Sequence, residues 1–338
     1  MKNRTISCHQ MLSVIFLALF PLGTEVLFSS FAAAGAAGWL CPLLAGGAAV
    51  LLVLLVGRRG LVLPREGTCR VPIGILFVWG MIFGGAQACR IGIRLSEPLG
   101  ASPALLTGVF LVLAAWMAAG GLPAFARACE IFLLALGGAM VLILLGGIFR
   151  LRWDWVLLWT PEELGRVPLG TLECLGLLAV GCGGLFFLRD VIPEGRSKGA
   201  TCRMIGRLSF LLAAAEILVL GRFGAPLAGR MDRSFFQMVS GLGLEGAFQR
   251  LEQMVSALWS LGDLVLMGFL LLYVMRLAGQ IVGRQEKLWW AWPLAGVLFL
   301  LALPGSFWQA ILDGPFLWAG NLIAGGLILA VFGFKKKK

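Results

Sequence analysis

A proline, a glycine, a threonine and a glutamate stand together inside the first long apolar run of the chain, at "PLGTE", Pro21 to Glu25. Proline removes a backbone hydrogen bond from a helix, and glycine adds backbone freedom. A carboxylate at bilayer depth costs about 2.5–3.5 kcal/mol or more. Irregular backbone survives there only where protein buries it or a cavity adjoins it. We therefore predict an unwound stretch that lines a ligand site, to which Gly23 gives room, Thr24 a hydroxyl and Glu25 a charge.

A second interruption lies in the sixth apolar run, "LLAVGCGGLFFLRD", where Gly181, Gly183 and Gly184 fall within four residues. Interrupted spans at corresponding positions of two halves are typical of a transporter-type binding site. Amides freed at a half-helix N-terminus suit a carboxylate, and freed carbonyls or Glu25 suit an ammonium group. These features predict a site for an α-amino acid. The alternative is that Glu25 lies near the outer interface or is neutralised by an arginine.

Other polar residues stand inside apolar runs. Gln87, Arg90 and Arg94 follow one another at three- and four-residue spacing, so they share one face of a helix. Arg90 either pairs with Glu25 or extends toward the interface, and extension is the simpler interpretation. We include Gln87 and Arg90 in the predicted ligand site. Two further acids, Glu216 and Asp263, serve either helix packing or proton transfer, and packing is the simpler interpretation.

The composition is that of an integral membrane protein. Hydrophobic residues make up 59% of the chain and charged residues 13%, with a mean hydropathy of +0.93. Soluble domains average about 45–50% apolar and about 25% charged residues. The eight cysteines form no CxxC pair and the chain has one histidine, so no metal or cofactor is expected. No catalytic triad, P-loop or GxGxxG pattern is present, and we predict that the chain is not an enzyme.

Ten apolar runs are long enough to cross a bilayer, and they predict one polytopic membrane domain over residues 1–338. Nineteen of the 28 lysine and arginine residues flank these runs on the side of the N-terminus, which predicts that both termini are cytoplasmic. The basic residues form no separate domain, so nucleic acid is not an expected partner. The predicted spans are 11–31, 39–57, 71–95, 104–121, 127–148, 171–189, 204–223, 251–275, 287–303 and 315–334.

Three stretches resemble the spore-germination permeases, the B subunits of nutrient-germinant receptors. The opening "ISCHQMLSVIFLALFPLGTEVLFSSFAAAGAAGWL" is similar to theirs, and so is "GLPAFARACEIFLLAL", in which Arg127 and Glu130 match an Arg-x-x-Glu-like element. The third is "RSFFQMVSGLGLEGAFQRLEQMVSALWSLGDL", which begins outside the membrane and leads into the eighth apolar run. Its residues matching the family's Phe-Phe-x-Met and Arg-x-Glu…Trp patterns are Phe235, Phe236, Met238, Arg250, Glu252 and Trp259.

The resemblance implies the amino acid–polyamine–organocation superfamily. The implied fold is an all-α membrane protein with ten transmembrane helices in a leucine-transporter-like inverted five-plus-five repeat, about 11–148 and 171–334, with broken helices 1 and 6. The implied function is sensing of a germinant, such as an amino acid, in the spore inner membrane beside A- and C-type subunits. Leu185 stands where the family usually has an acid. The alternatives are an amino-acid permease coupled to protons or cations, and a structural subunit that binds nothing.

The outer segment from Ser234 to Phe248 is more apolar than a solvated loop requires. We predict that it closes over the ligand site or contacts a partner subunit.

Overall fold

The computed structural model describes most of the chain, and every structural statement below concerns these residues. They are 6–26, 31, 34–59, 70–149, 151–187, 197–231, 233–241, 251–283, 287–303, 305, 307–308 and 316–332. The predicted cytoplasmic termini and residues 242–250 of the outer segment lie outside this part.

The described residues are helical, and no strand occurs among them. They contain thirteen α-helices, numbered here in chain order, and two 3₁₀ turns, at Gly35–Ala37 and Leu288–Trp290. The helices are α1 Cys8–Val26, α2 Leu40–Arg59, α3 Arg70–Leu99, α4 Pro103–Ala119, α5 Leu122–Ile148, α6 Asp154–Leu157, α7 Pro161–Phe187, α8 Ser197–Phe223, α9 Ala225–Ala228, α10 Ser234–Ser240, α11 Leu251–Val282, α12 Ala291–Ala302 and α13 Phe316–Phe332.

Six of these helices are long and apolar enough to cross a membrane: α1, α3, α5, α7, α8 and α11. Large apolar side chains lie exposed on the outside of the bundle, as at Leu134 and Phe149, which are 81% and 88% exposed. Such exposure is unfavourable in water but suits contact with lipid tails. The chain is therefore a helical, membrane-embedded protein.

Helix α1 is continuous from Cys8 to Val26, so the predicted break at "PLGTE" is wrong for these residues. Proline leaves the carbonyl four residues earlier, that of Leu17, without its helical partner. Gly262 of α11 packs at this point: a Cβ there would overlap Pro21 and lie 3.1 Å from the Leu17 oxygen. The Thr24 hydroxyl donates to the Pro21 carbonyl at 2.9 Å. Packing thus accommodates the proline inside an unbroken helix.

Helix α7 also runs without a break through Gly181, Gly183 and Gly184, contrary to the predicted unwinding. Gly181 allows close helix contact: a Cβ there would lie 2.7 Å from Leu19 and 3.0 Å from Ile15, both on α1. Glycines let membrane helices approach each other in this way. The surroundings of Gly183 and Gly184 lie outside the described residues.

The start of α7 lies ten residues before the predicted start of the sixth span, because a capping box begins the helix earlier. The Glu163 carboxylate accepts from the Thr160 amide at 2.8 Å, and the Glu163 amide donates to the Thr160 hydroxyl at 3.4 Å. This reciprocal pair satisfies free amides at a helix start. The other Glu163 oxygen accepts from the Ala36 amide at 3.1 Å, which ties the turn between α1 and α2 to α7.

Helices α1 and α3 both pack on α11, and these three helices position the candidate site. Helices α3 and α11 run antiparallel. At one end of their contact, a Cβ on Gly80 would lie 3.1 Å from Val274, and at the other end Arg94 reaches Ser260. The face of α3 that carries Arg90 and Arg94 is therefore turned toward α11.

Candidate functional site: a buried charge cluster

Four charged side chains from three helices meet inside the bundle, and we call them the charge cluster: Glu25 of α1, Arg90 and Arg94 of α3, and Asp263 of α11. The Glu25 Oε2 atom lies 3.2 Å from Arg90 Nη1 and 3.2 Å from Arg94 Nη1. Arg94 Nη2 pairs closely with Asp263, and Arg90 Nη2 lies 4.0 Å from Asp263 Oδ1. Two acids thus face two guanidinium groups, and the formal net charge of the cluster is zero.

The cluster is almost fully removed from solvent. The side chains of Glu25, Arg94 and Asp263 are 5%, 3% and 0% exposed, and that of Arg90 is 12% exposed. Removing one partner from such a buried pair leaves an uncompensated charge and is strongly destabilising. The four residues therefore compensate each other's formal charges, and changing one of them affects the other three.

Arg94 and Arg90 are held differently. Arg94 donates to Glu25 at 3.2 Å and to the Ser260 hydroxyl at 3.3 Å, and it also donates to Asp263. None of the three guanidinium nitrogens of Arg90 has a hydrogen-bond partner in the described part of the chain, although Glu25 is within ion-pair distance. Arg90 therefore keeps donors that a carboxylate ligand could use.

Helix α10, which carries two aromatic residues, lies on the cluster, and we call it the aromatic cover. The Phe236 ring of α10 lies 6.0 Å from the Arg94 guanidinium carbon, within the range of a cation–π contact. Phe235 and Phe236 both pack on Trp259, with ring centroids 5.2 Å and 5.9 Å away. Arg233, which immediately precedes α10, lies within electrostatic range of Glu25. The described part of the outer segment therefore contacts the charge cluster, and its closure over a ligand site stays a prediction.

Trp259 links this cover to the first helix. Its indole nitrogen donates to the Thr24 hydroxyl at 2.9 Å, and that hydroxyl donates in turn to the Pro21 carbonyl. The Trp259 ring is fully buried and also packs against Phe20. The residues around "PLGTE" are thus fixed by α11 and α10 together.

The structure brings together two of the predicted site residues, Glu25 and Arg90. The Thr24 hydroxyl is instead bonded to Trp259 and Pro21. Gln87 is buried one turn before Arg90 on α3, and its amide oxygen has no hydrogen-bond partner among the described residues. Gly23 lies on another side of α1, where a Cβ would lie 2.9 Å from Leu212. The ligand-binding role of these residues stays a prediction.

Gly181 of the sixth span does not face Glu25. Gly181 contacts Leu19, which precedes Glu25 by six residues, about 9 Å along a helix. Gly183 and Gly184 follow Gly181 in the same helix, in the direction away from Glu25. The simpler interpretation of Arg90 is also wrong, because Arg90 pairs with Glu25 and does not extend to the interface.

Two members of the cluster were missing from the predicted site. Arg94 shares the face of Gln87 and Arg90, so its spacing could have included it. Asp263 was recognised as an acid inside an apolar run, but its partner Arg94 is 169 residues away. No local pattern identifies such a partner.

A small cavity of about 30 Å³ lies between α3, α7, α11 and α13, about two turns along α3 from Arg90. The polar groups in its wall are the Trp79 indole and the Asn321 amide, and the indole donates to the amide oxygen at 3.0 Å. Ligand pockets usually measure about 300–1,000 Å³. This cavity has room for water but not for an amino acid.

No three His, Cys, Asp or Glu side chains of the described residues are placed to hold a metal ion. Comparison of the chain with family models and with curated proteins gave no match.

Proposed function

We propose that the chain is a germinant-sensing membrane subunit that binds a small zwitterion, an amino acid, at the charge cluster and helps to trigger spore germination. The observation that carries the proposal is the set of two buried acids and two buried arginines assembled from α1, α3 and α11. The resemblance of the opening and outer segments to spore-germination permeases supports the same function.

The charges of an amino acid complement those of the cluster. Its carboxylate suits Arg90, whose donors lack hydrogen-bond partners, and its ammonium group suits Glu25 or Asp263. A zwitterion adds no net charge, so it can replace intramolecular ion pairs without leaving an unbalanced charge in the membrane interior. Binding of this kind exchanges the Glu25–Arg90 pair for two pairs with the ligand.

The ligand would enter by displacement of the aromatic cover. Helix α10 packs on the cluster through Phe236 and on α11 through Trp259. Movement of this short helix would open the cluster toward the outer side of the membrane. The same movement would report ligand binding to a neighbouring A- or C-type subunit.

The proposed arrangement in the membrane has ten spans with both termini in the cytoplasm, in two sets of five related as an inverted repeat. Four shorter apolar helices join the six long ones in this arrangement. The bilayer would be the spore inner membrane. The basic residues that flank the apolar runs support this orientation.

The experiment is disruption of the gene, followed by a germination assay across single amino acids. We expect the response to at least one amino acid to be lost and to return when the wild-type gene is restored. A disruptant that responds to every amino acid as the parent does would contradict the proposal.

An amino-acid permease is the second candidate, and a buried acid outside the charge cluster, Glu216, favours it as a group able to carry a proton. Uptake of a labelled amino acid by proteoliposomes separates the two functions. A permease accumulates the label when a proton gradient is imposed. A sensor binds the label without accumulating it.

A further inference from the structure

Glu216 of α8 is an acid inside the bundle that does not belong to the charge cluster. The residue is 0% exposed, and neither carboxyl oxygen has a hydrogen-bond partner in the described part of the chain. The cluster acids Glu25 and Asp263, in contrast, are both paired with arginines. Glu216 is therefore buried, and no hydrogen bond from the described residues compensates the loss of water around its carboxyl group.

The surroundings of Glu216 are tightly packed on two sides. On the α2 side, a Cβ on Gly46 would overlap the Ser209 hydroxyl, two turns before Glu216 on α8. On the α1 side, Leu212, one turn before Glu216, packs on Gly23. The Ser209 hydroxyl is itself buried without a hydrogen-bond partner among the described residues. Close packing on both sides keeps water from this part of the interface.

No basic group in the described part of the chain pairs with Glu216. On α2, Cys41 lies within electrostatic range of Glu216, although its thiol donates to the Val167 carbonyl of α7. Glu25 on α1 is engaged with the cluster arginines, and Glu130 on α5 is engaged with His9 and Gln10 near the start of α1. The other charged residues on or beside the elements that pack against α8 are Arg58 and Arg59 of α2, Arg127 of α5, Arg152 and Asp154 at α6, and Arg230 and Arg233 beside α9 and α10. Helix α8 itself carries Lys198, Arg203, Arg207 and Arg222.

A carboxylate in these surroundings would be an unpaired buried charge, which is strongly unfavourable, whereas the carboxylic acid is neutral. We propose that Glu216 is a proton-binding site: it holds a proton while α8 is packed on α2, and releases it to water when the two helices separate. Closing this interface thus takes up one proton. The inference rests on the surroundings of Glu216 and not on the ligand of the charge cluster.

Infrared spectroscopy of the purified protein in lipid tests the protonated state, because the carbonyl stretch of a carboxylic acid is distinct from that of a carboxylate. At neutral pH we expect an acid band that Glu216→Gln removes and that Glu130→Gln, a change at a partly exposed acid, leaves in place. Labelling glutamate with ¹³C at the side-chain carboxyl should shift the band in the wild type, which gives a test that needs no variant. Absence of a shifting acid band would overturn the proposal.

Alkylation of Cys41 by N-ethylmaleimide tests the coupling to helix separation. The Cys41 thiol is buried between α2 and α7, where it donates to the Val167 carbonyl, so the reagent reaches it only when α2 moves away from the helices packed on it. Site-resolved mass spectrometry gives the alkylation rate of Cys41 as a function of pH in the wild type and in Glu216→Gln. Dividing the wild-type rate by the variant rate removes the common pH dependence that comes from ionisation of the thiol. We expect this ratio to rise with pH by up to about tenfold per unit, since ionisation favours the open form. Parallel pH profiles would overturn the coupling.

Discussion

Replacing Glu25 by glutamine tests whether charge balance holds the cluster together. The change keeps the side-chain volume and removes the negative charge that lies 3.2 Å from both Arg90 and Arg94. The cluster then carries a net positive charge in a nearly dry environment. We expect the transmembrane bundle to be clearly less stable, because the two guanidinium groups repel each other with only Asp263 to compensate them.

The magnitude follows from the geometry. Two unit charges 3.2 Å apart attract by roughly 5 kcal/mol at an effective dielectric constant of about 20. Removing one partner of a buried pair usually costs about 3–5 kcal/mol. Glu25→Gln should therefore lower the thermal midpoint of the protein in nanodiscs by several degrees.

The control is Glu130→Gln, the same chemical change at a 38%-exposed carboxylate that pairs with His9. Such exposed pairs contribute at most about 1 kcal/mol, so this variant should melt close to the wild type. The double change Glu25→Gln with Arg90→Gln returns the formal charge of the cluster to zero and should recover at least half of the lost stability. Equal shifts for the Glu25 and Glu130 variants, or a double variant as unstable as the sum of its parts, would refute the charge-balance argument.

Three further predictions concern the packing and the topology. Trp259→Phe keeps a buried ring but removes the indole donor to Thr24, and should cost about 1–3 kcal/mol in thermal unfolding. Gly262→Ala should lower the free energy of unfolding by a similar ~1–3 kcal/mol, because the added methyl group forces α1 away from α11. The control Gly296→Ala, where a Cβ would meet nothing within 4 Å, should leave the stability unchanged. Equal effects of the two changes would contradict the close contact. A reporter active only outside the membrane, fused after Lys338, should give no signal; a strong signal would mean an odd number of spans.

The helices themselves were predictable from the apolar runs, because a membrane-spanning helix must satisfy its backbone hydrogen bonds internally. A described helix occupies each of the ten predicted segments. Most of the helix ends lie within a few residues of the predicted ends. The largest differences are at the sixth segment, where the capping box at Thr160 starts the helix early, and at the seventh and eighth, where α8 starts at Ser197 and α11 continues to Val282.

The predicted breaks were wrong because proline and glycine have two uses in a membrane helix. They can unwind it, or they can let a neighbour approach closely. Pro21 and Gly181 serve close contact, with Gly262 and Leu19 respectively. Which use applies depends on the neighbour, and the neighbour is distant in sequence.

The cluster was half predictable. Spacing along α3 correctly placed Gln87, Arg90 and Arg94 on one face, since helical neighbours lie three and four residues apart. The pairing of this face with Glu25 and Asp263 depends on how three helices pack, and Arg94 is 69 and 169 residues from these two partners. The sequence alone identified the charged residues inside the apolar runs, but it could not show which of them form ion pairs.

The most direct test of the central claim is equilibrium binding of labelled amino acids to the purified protein in nanodiscs. We expect saturable binding of at least one amino acid, weakened about 10- to 150-fold by Glu25→Gln because the lost charge contact is worth about 1.5–3 kcal/mol. The Glu130→Gln control should bind as the wild type does. Absence of saturable binding, or a change of less than about twofold for Glu25→Gln in a folded protein, would contradict the assignment of the charge cluster as the ligand site.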